Sequence, residues 1–259
     1  FDMVYHLAAI ARIQPSFEQP VEYFETNTNG TLNIAQYCVN NNIPLVYAGS
    51  SSHHSGKFKN PYTFSKDIGE EIIKLYQDHF KLNASIARFY NVYGPYHLRD
   101  GGYSTVIGRW EKQYDDGEPL TIYGDGSKRR DFTHINDVVR ANLIAAEKPW
   151  VVGPLNIGTG RNYSINDLAD MIGGDRLYTS ERIGETRETL ADNSRARDQL
   201  GWNPKVRLED YRSAIDDYSK AILLNSNQIY IAYFCLNRNQ EIFGVPYAKF
   251  SCGSPPQLV

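Results

Sequence analysis

Ser50-Ser51-Ser52, Tyr62 and Lys66 lie close together in the chain and could move a proton between them. Tyr62 and Lys66 are four residues apart, which puts both side chains on one face if the segment is helical. An ammonium held beside a phenol favours the phenolate. A tyrosine so placed can act as a general base near neutral pH. The spacing alone is common, and its ordinary meaning is a surface lysine beside a half-buried tyrosine. Three serines after an apolar run are, by themselves, a polar turn at a strand end. The surrounding elements decide whether these groups meet.

Ile68, Ile72, Leu75 and Tyr76 repeat at i, i+4, i+7 and i+8, which predicts an amphipathic helix after Pro61. Residues 2–9 read as a buried strand ending in the small pair Ala8-Ala9, and 23–42 as a helix with Leu32, Ala35, Cys38 and Val39 on one face. Residues 43–49 form a second apolar run ending at the three serines, and 84–90 a third ending at Asn91. Apolar strands alternating with helices predict a parallel, doubly wound α/β sheet. Ligands in such sheets bind past the carboxyl ends of the strands. Ala8-Ala9, Ser50–Ser52 and Asn91 are therefore expected around one crevice.

From Gly94 the composition shifts to Gly, Pro, Tyr and Asp. Helices are expected at 104–115, 136–147, 164–172 (capped by Ser164), 194–200 and 208–218, with strands at 120–123 and 154–157. Residues 1–94 and 135–157 are assigned to the sheet domain, and 95–134 and 158–220 to a smaller α/β substrate-binding subdomain. Residues 221–259 receive no assignment. Gly158-Thr159-Gly160 suggests a dinucleotide fingerprint, but the third glycine is replaced by Tyr163 and no suitable βαβ unit follows, so it is not read as a phosphate loop.

The 259 residues are 41% hydrophobic and 22% charged, ordinary for a globular chain. A net charge of -3, with Lys128-Arg129-Arg130 the one basic cluster, argues against a nucleic-acid platform. No apolar run approaches the ~20 residues of a membrane span. The three cysteines, Cys38, Cys235 and Cys252, have no metal-like spacing, and a reduced cytoplasmic setting is the simplest expectation.

Eight stretches in order, "DMVYHLAA", "NTNGTLNIAQYC", "LVYAGSSS", "PYTFSKDIGEE", "ARFYNVYGP", "PLTIYGDGSKRRDFTHINDVVRAN", "LNIGTG" and "RETLADNSRARDQLGWNP", resemble the nucleotide-sugar epimerase/dehydratase branch of the extended short-chain dehydrogenases/reductases. The resemblance runs from residue 1 to about 220 and implies a Rossmann-like fold with NAD as cofactor. It makes Tyr62 the catalytic acid/base, Lys66 the residue that holds the nicotinamide ribose and tunes Tyr62, and Ser51 the hydroxyl that bonds the reacting sugar oxygen. It places Leu7, Ala8, Ala9, Asn27 and Tyr90 along the cofactor. On the substrate side it implies Asn91 and Val106, with Arg130 and Arg187 clamping the diphosphate through bidentate guanidinium chemistry. It also implies a homodimer through the helices at 23–42 and 61–80.

The chain opens inside a strand, and the resemblance implies that the first βαβ units, with the Gly-rich pyrophosphate loop, precede it. The segment from Ser51 to Tyr62 is shorter than usual in the family, and His53-His54-Ser55 replace its Val-Tyr-Gly. Two adjacent histidines with no third ligand nearby read as loop histidines, not a metal site. Dehydratases and decarboxylases of the branch carry an acid just after the Ser/Thr, where this chain has Ser52 and His53. UDP-hexose 4-epimerisation through a 4-keto intermediate is thus the first expectation. A 4,6-dehydratase, a reductase or a non-catalytic nucleotide-sugar-binding homologue is the alternative.

Overall fold

Strands that are apolar at consecutive positions need cover on both faces, and they receive it. In the computed structural model, which describes residues 1–148, 150–151 and 153–210, four parallel strands form the central sheet. In spatial order they are β1 (Val4–His6), β2 (Leu45–Ser50), β3 (Ala84–Phe89) and β4 (Gly153–Ile157). The register pairs Tyr5 with Val46, Val46 with Ser85 and Ala87 with Leu155.

Successive side chains of a strand point to opposite faces. Leu45 and Tyr47 of β2 therefore pack with Ala35, Cys38, Ile73 and Tyr76 from the helices Gly30–Asn41 and Pro61–Phe80. Val46 turns the other way and meets Val138, Ala141 and Ala145 of the helix Ile135–Glu147, together with Trp202. Helices on both faces of a parallel sheet make this a Rossmann-like α/β fold.

The helix expected at 23–42 is more complex than its periodicity suggested. A turn at Pro20–Tyr23 runs into a widened π-helical stretch, Phe24–Asn29, before the regular helix begins at Gly30. The short helix Ile13–Glu18 was not anticipated, and the strand expected over 2–9 shrinks to three residues. Leu120–Tyr123 forms the expected strand and pairs in parallel with Arg176–Thr179, which the sequence reading did not assign. Ser164 caps its helix with a reciprocal capping box to Asp167. The helix expected over 208–218 is a single 3-10 turn at Leu208–Asp210 as far as the described residues reach, and the segment 221–259 lies outside them.

Candidate active site

Asn60 starts the helix that carries Tyr62. Its side-chain oxygen accepts from Thr63 N at 2.8 Å, and Pro61 occupies the first helical turn, where no N–H is needed. The same Asn60 donates to the Gly184 carbonyl at 3.3 Å, tying the start of this helix to the strap 181–192. One turn on, Lys66 is buried, with Nζ 4.5 Å over the Tyr47 ring. Gly69 gives Tyr47 its room, because a Cβ there would lie 2.1 Å from the Tyr47 hydroxyl. The Lys66 ammonium finds no hydrogen-bond acceptor among the described residues. Burial lowers its pKa, and the nearby Tyr62 and Glu70 act in the opposite direction. A buried ammonium without an acceptor suits a ligand hydroxyl, as a nicotinamide ribose would supply.

The Tyr62 hydroxyl donates to Ser50 Oγ at 3.2 Å. The sequence ranked Ser51 first, yet the serine that meets the phenol is Ser50. The strand alternation explains the shift: Ser50 is the last residue of β2, whereas Ser51 already opens a 3-10 turn and points elsewhere. Ser51 instead lines a cavity of about 260 Å³ with His54, Ser55, Tyr90, Glu188, Thr189 and Leu190.

The other implied residues sort themselves by what their polar atoms already hold. Leu7, Ala8 and Ala9 follow β1 at the carboxyl edge of the sheet, as expected. Asn27, in the widened helical stretch, donates to the Ile10 carbonyl at 2.9 Å and to Ser65 Oγ at 3.0 Å, and accepts from Ile10 N at 2.8 Å. With both N–H groups taken, it fixes the backbone just after Ala8-Ala9. Tyr90 is buried, its hydroxyl has no hydrogen-bond partner among the described residues, and burial raises its pKa. Asn91, at φ 31, donates to the Asp131 carbonyl at 2.7 Å and to Thr189 Oγ1 at 3.0 Å, which leaves only its oxygen for a substrate. Val106 begins the helix Val106–Asp115, capped by Thr105.

The two implied arginines differ in their partners and in exposure. Arg130 donates to the carbonyls of Arg129 at 2.8 Å, Thr186 at 2.8 Å and Arg187 at 3.3 Å. Arg187 is exposed, its carbonyl is bonded to Arg129 N at 2.9 Å, and its charge acts on Asp125 in the turn 124–126. Residues 187–189 run beside 129–131 with mutual backbone hydrogen bonds. The cations that do gather are Lys128, Arg130 and Arg182 around Glu185, at 3.1, 3.8 and 4.0 Å. Arg182 also stacks on Tyr123, its guanidinium carbon 3.5 Å from the ring centre.

Gly158-Thr159-Gly160 has a different use. The Asp131 carboxylate accepts from Thr159 N at 2.9 Å, Thr159 Oγ1 at 2.7 Å, Gly160 N at 2.9 Å and Ala191 N at 3.1 Å. The turn wraps a protein carboxylate, which pins the strap 181–192 to the end of β4. The two histidines are held separately: His53 Nδ1 lies 2.9 Å from the buried Asp67 and His54 Nε2 3.3 Å from Asn156. Arg182 and Asp131 are the residues that sequence reasoning missed.

The profile of the NAD dependent epimerase/dehydratase family matches residues 1–158. The chain belongs to this family. It is thereby an enzyme with NAD as its cofactor. It is 32% identical over 229 residues to a putative UDP-glucose 4-epimerase of Methanocaldococcus jannaschii, covering 81% of this chain and 74% of that one. It is also 32% identical over 237 residues to a UDP-glucuronate 4-epimerase of Thermodesulfobacterium geofontis, covering 84% and 72%. Among solved structures it resembles UDP-glucuronic acid 4-epimerase from Bacillus cereus in complex with UDP-glucuronic acid and NAD, with a TM-score of 0.76 and 31% identity over 86% of this chain and 76% of that one.

Proposed function

We propose that the protein interconverts the C4 epimers of a UDP-hexose. The observation that carries this reading is the Tyr62 phenol, hydrogen-bonded to Ser50 beside a buried, unpaired Lys66. Lys66 would hold the nicotinamide ribose, and Leu7 to Ala9 the backbone edge of the cofactor. Bound NAD supplies a hydride acceptor and then a donor at C4, so the reaction has no net redox change. Tyr62 accepts the proton of the 4-hydroxyl as C4 becomes a ketone and returns it when C4 is reduced from the other face. Ser50, which meets the phenol, would bond the 4-oxygen. The cations around Glu185 hold the diphosphate while the sugar turns. Elimination is disfavoured because the turn 51–55 carries no carboxyl group; its position after the serines is taken by His53, itself held by Asp67.

The test is turnover of UDP-glucose and UDP-glucuronate with NAD, followed by proton NMR. The C4 epimer should accumulate to equilibrium, and Tyr62→Phe should slow it by about 10²–10⁴. A 4-keto-6-deoxy product would assign a dehydratase instead, and binding without turnover a non-catalytic homologue. The same reading makes the protein a cytoplasmic homodimer. Leu32, Tyr37, Leu75 and Phe80 are exposed on the helices Gly30–Asn41 and Pro61–Phe80 and supply apolar surface for that contact. Gel filtration at monomer mass would count against the dimer.

A further inference from the structure

Arg12 follows β1 in the segment that leads to the helix Ile13–Glu18. Its backbone is held at φ 104, a conformation costly for a residue with a side chain. Two contacts hold it there. The Tyr23 hydroxyl donates to the Arg12 carbonyl at 3.0 Å, and the Tyr23 ring packs edge-on against the Tyr62 ring with centroids 6.3 Å apart. Arg12 donates from Nε and Nη2 to the Tyr103 carbonyl at 3.0 and 2.7 Å. The fork is thus anchored along one edge, and its Nη1 side remains open.

Arg109 approaches from the helix Val106–Asp115. It donates to the Tyr123 hydroxyl at 3.3 Å and, through Nε and Nη2, to Ser104 Oγ at 3.4 and 3.3 Å. The two arginines therefore grip adjacent residues, 103 and 104. Arg88, Arg99, Arg130, Arg140 and Arg176 each reach a carboxylate. Arg12 and Arg109 reach none among the described residues. Two half-buried cations that hold adjacent residues and have no carboxylate partner suit an anion between them.

We propose that Arg12 and Arg109 bind a carboxylate on the substrate's sugar, so that the preferred substrate is a UDP-hexuronate. The inference rests on the nucleotide-sugar reading of the site. The position decides which anion. The diphosphate has its own cations around Glu185, whereas Arg12 stands beside the phenol that takes the C4 proton. A C6 carboxylate hangs from C5, the carbon next to C4, and a guanidinium fork matches its two oxygens.

Calorimetric titration of the wild type, Arg12→Gln, Arg12→Lys and Arg109→Gln with UDP, UDP-glucose and UDP-glucuronate tests this. The wild type should prefer UDP-glucuronate to UDP-glucose by about tenfold or more. Arg12→Gln should remove that preference while leaving UDP and UDP-glucose affinity within about twofold, and Arg12→Lys should keep part of it. Arg109→Gln, from the opposite wall, should also lose selectivity, so the test does not depend on one variant folding. Equal weakening of all three ligands by Arg12→Gln would assign the pair to the diphosphate and overturn the inference. So would a wild type that binds both sugars alike. A wild type that binds no UDP compound would overturn the nucleotide-sugar reading as well, which separates the two failures.

Discussion

Ser50 Oγ accepts from the Tyr62 hydroxyl at 3.2 Å and also from Ser52 Oγ at 2.9 Å and Ser52 N at 3.2 Å. One oxygen thus gathers the hydroxyls at the end of β2, while Ser51 faces the neighbouring cavity. Ser50→Ala should lower kcat by about 10–100-fold, because the phenol loses the partner that orients it. Ser51→Ala should act chiefly on KM. Steady-state kinetics of the two variants separate these roles, and the opposite ranking would return the catalytic hydroxyl to Ser51.

Lys66 presents a conflict between folding and function. Burial lowers its pKa, and its ammonium has no hydrogen-bond acceptor among the described residues. Lys66→Met replaces a buried ammonium by an apolar chain of similar length. The melting temperature without cofactor should rise by about 2–4 °C. NAD affinity should fall by about tenfold or more, since a charge-assisted hydrogen bond to the ribose is lost. A variant that lost stability along with NAD would show that the lysine is structural.

His6 should make the fold acid-sensitive. It is 7% exposed at the end of β1, with Nε2 3.0 Å from Thr31 Oγ1. Burial first, and the Lys66 charge second, lower its pKa from 6.5 to about 4. The folded value lies below the unfolded one, so the unfolded chain binds the proton first as the pH falls. The stability is complete above pH ~6.5 and is lost progressively down to pH ~4, a total of roughly 3 kcal/mol. Urea denaturation at pH 7 and pH 4 should show that extra loss in the wild type and not in His6→Gln.

The sheet was legible because its strands are apolar at consecutive positions, which only a sheet covered on both faces tolerates. Tyr62 and Lys66 were legible because helical periodicity fixes their common face. The choice between Ser50 and Ser51 was not, since a one-residue change in where a strand ends reverses which side chain faces the crevice. Asn27 and Asn91 could be placed near the site from sequence, but whether their amides were free depended on Ile10, Ser65, Asp131 and Thr189, all distant in the chain. The arginines of the strap were hard to rank for a related reason. The strap 181–192 is irregular, so no periodicity told which of its arginines turns inward, and Arg182 does.

Glu70 and Arg88 tie the Tyr62 helix to β3 from beneath. Arg88 Nε lies 3.0 Å from both Glu70 oxygens and Nη2 2.6 Å from Oε2, with the two side chains only 10% and 8% exposed. The pair leaves no space above β2: a Cβ on Gly49 would sit 2.7 Å from Glu70 Oε1. Removing either partner alone strands a buried charge, so Arg88→Met or Glu70→Leu should each cost about 3–5 kcal/mol. The double variant should recover most of that loss, because two apolar groups of similar volume carry no desolvation penalty. Gly49→Ala should also be destabilising, since the added methyl forces the carboxylate out of its bidentate geometry. Chemical denaturation of the four variants measures the coupling. Additive single losses would mean that the ion pair contributes nothing to holding the Tyr62 helix on the sheet.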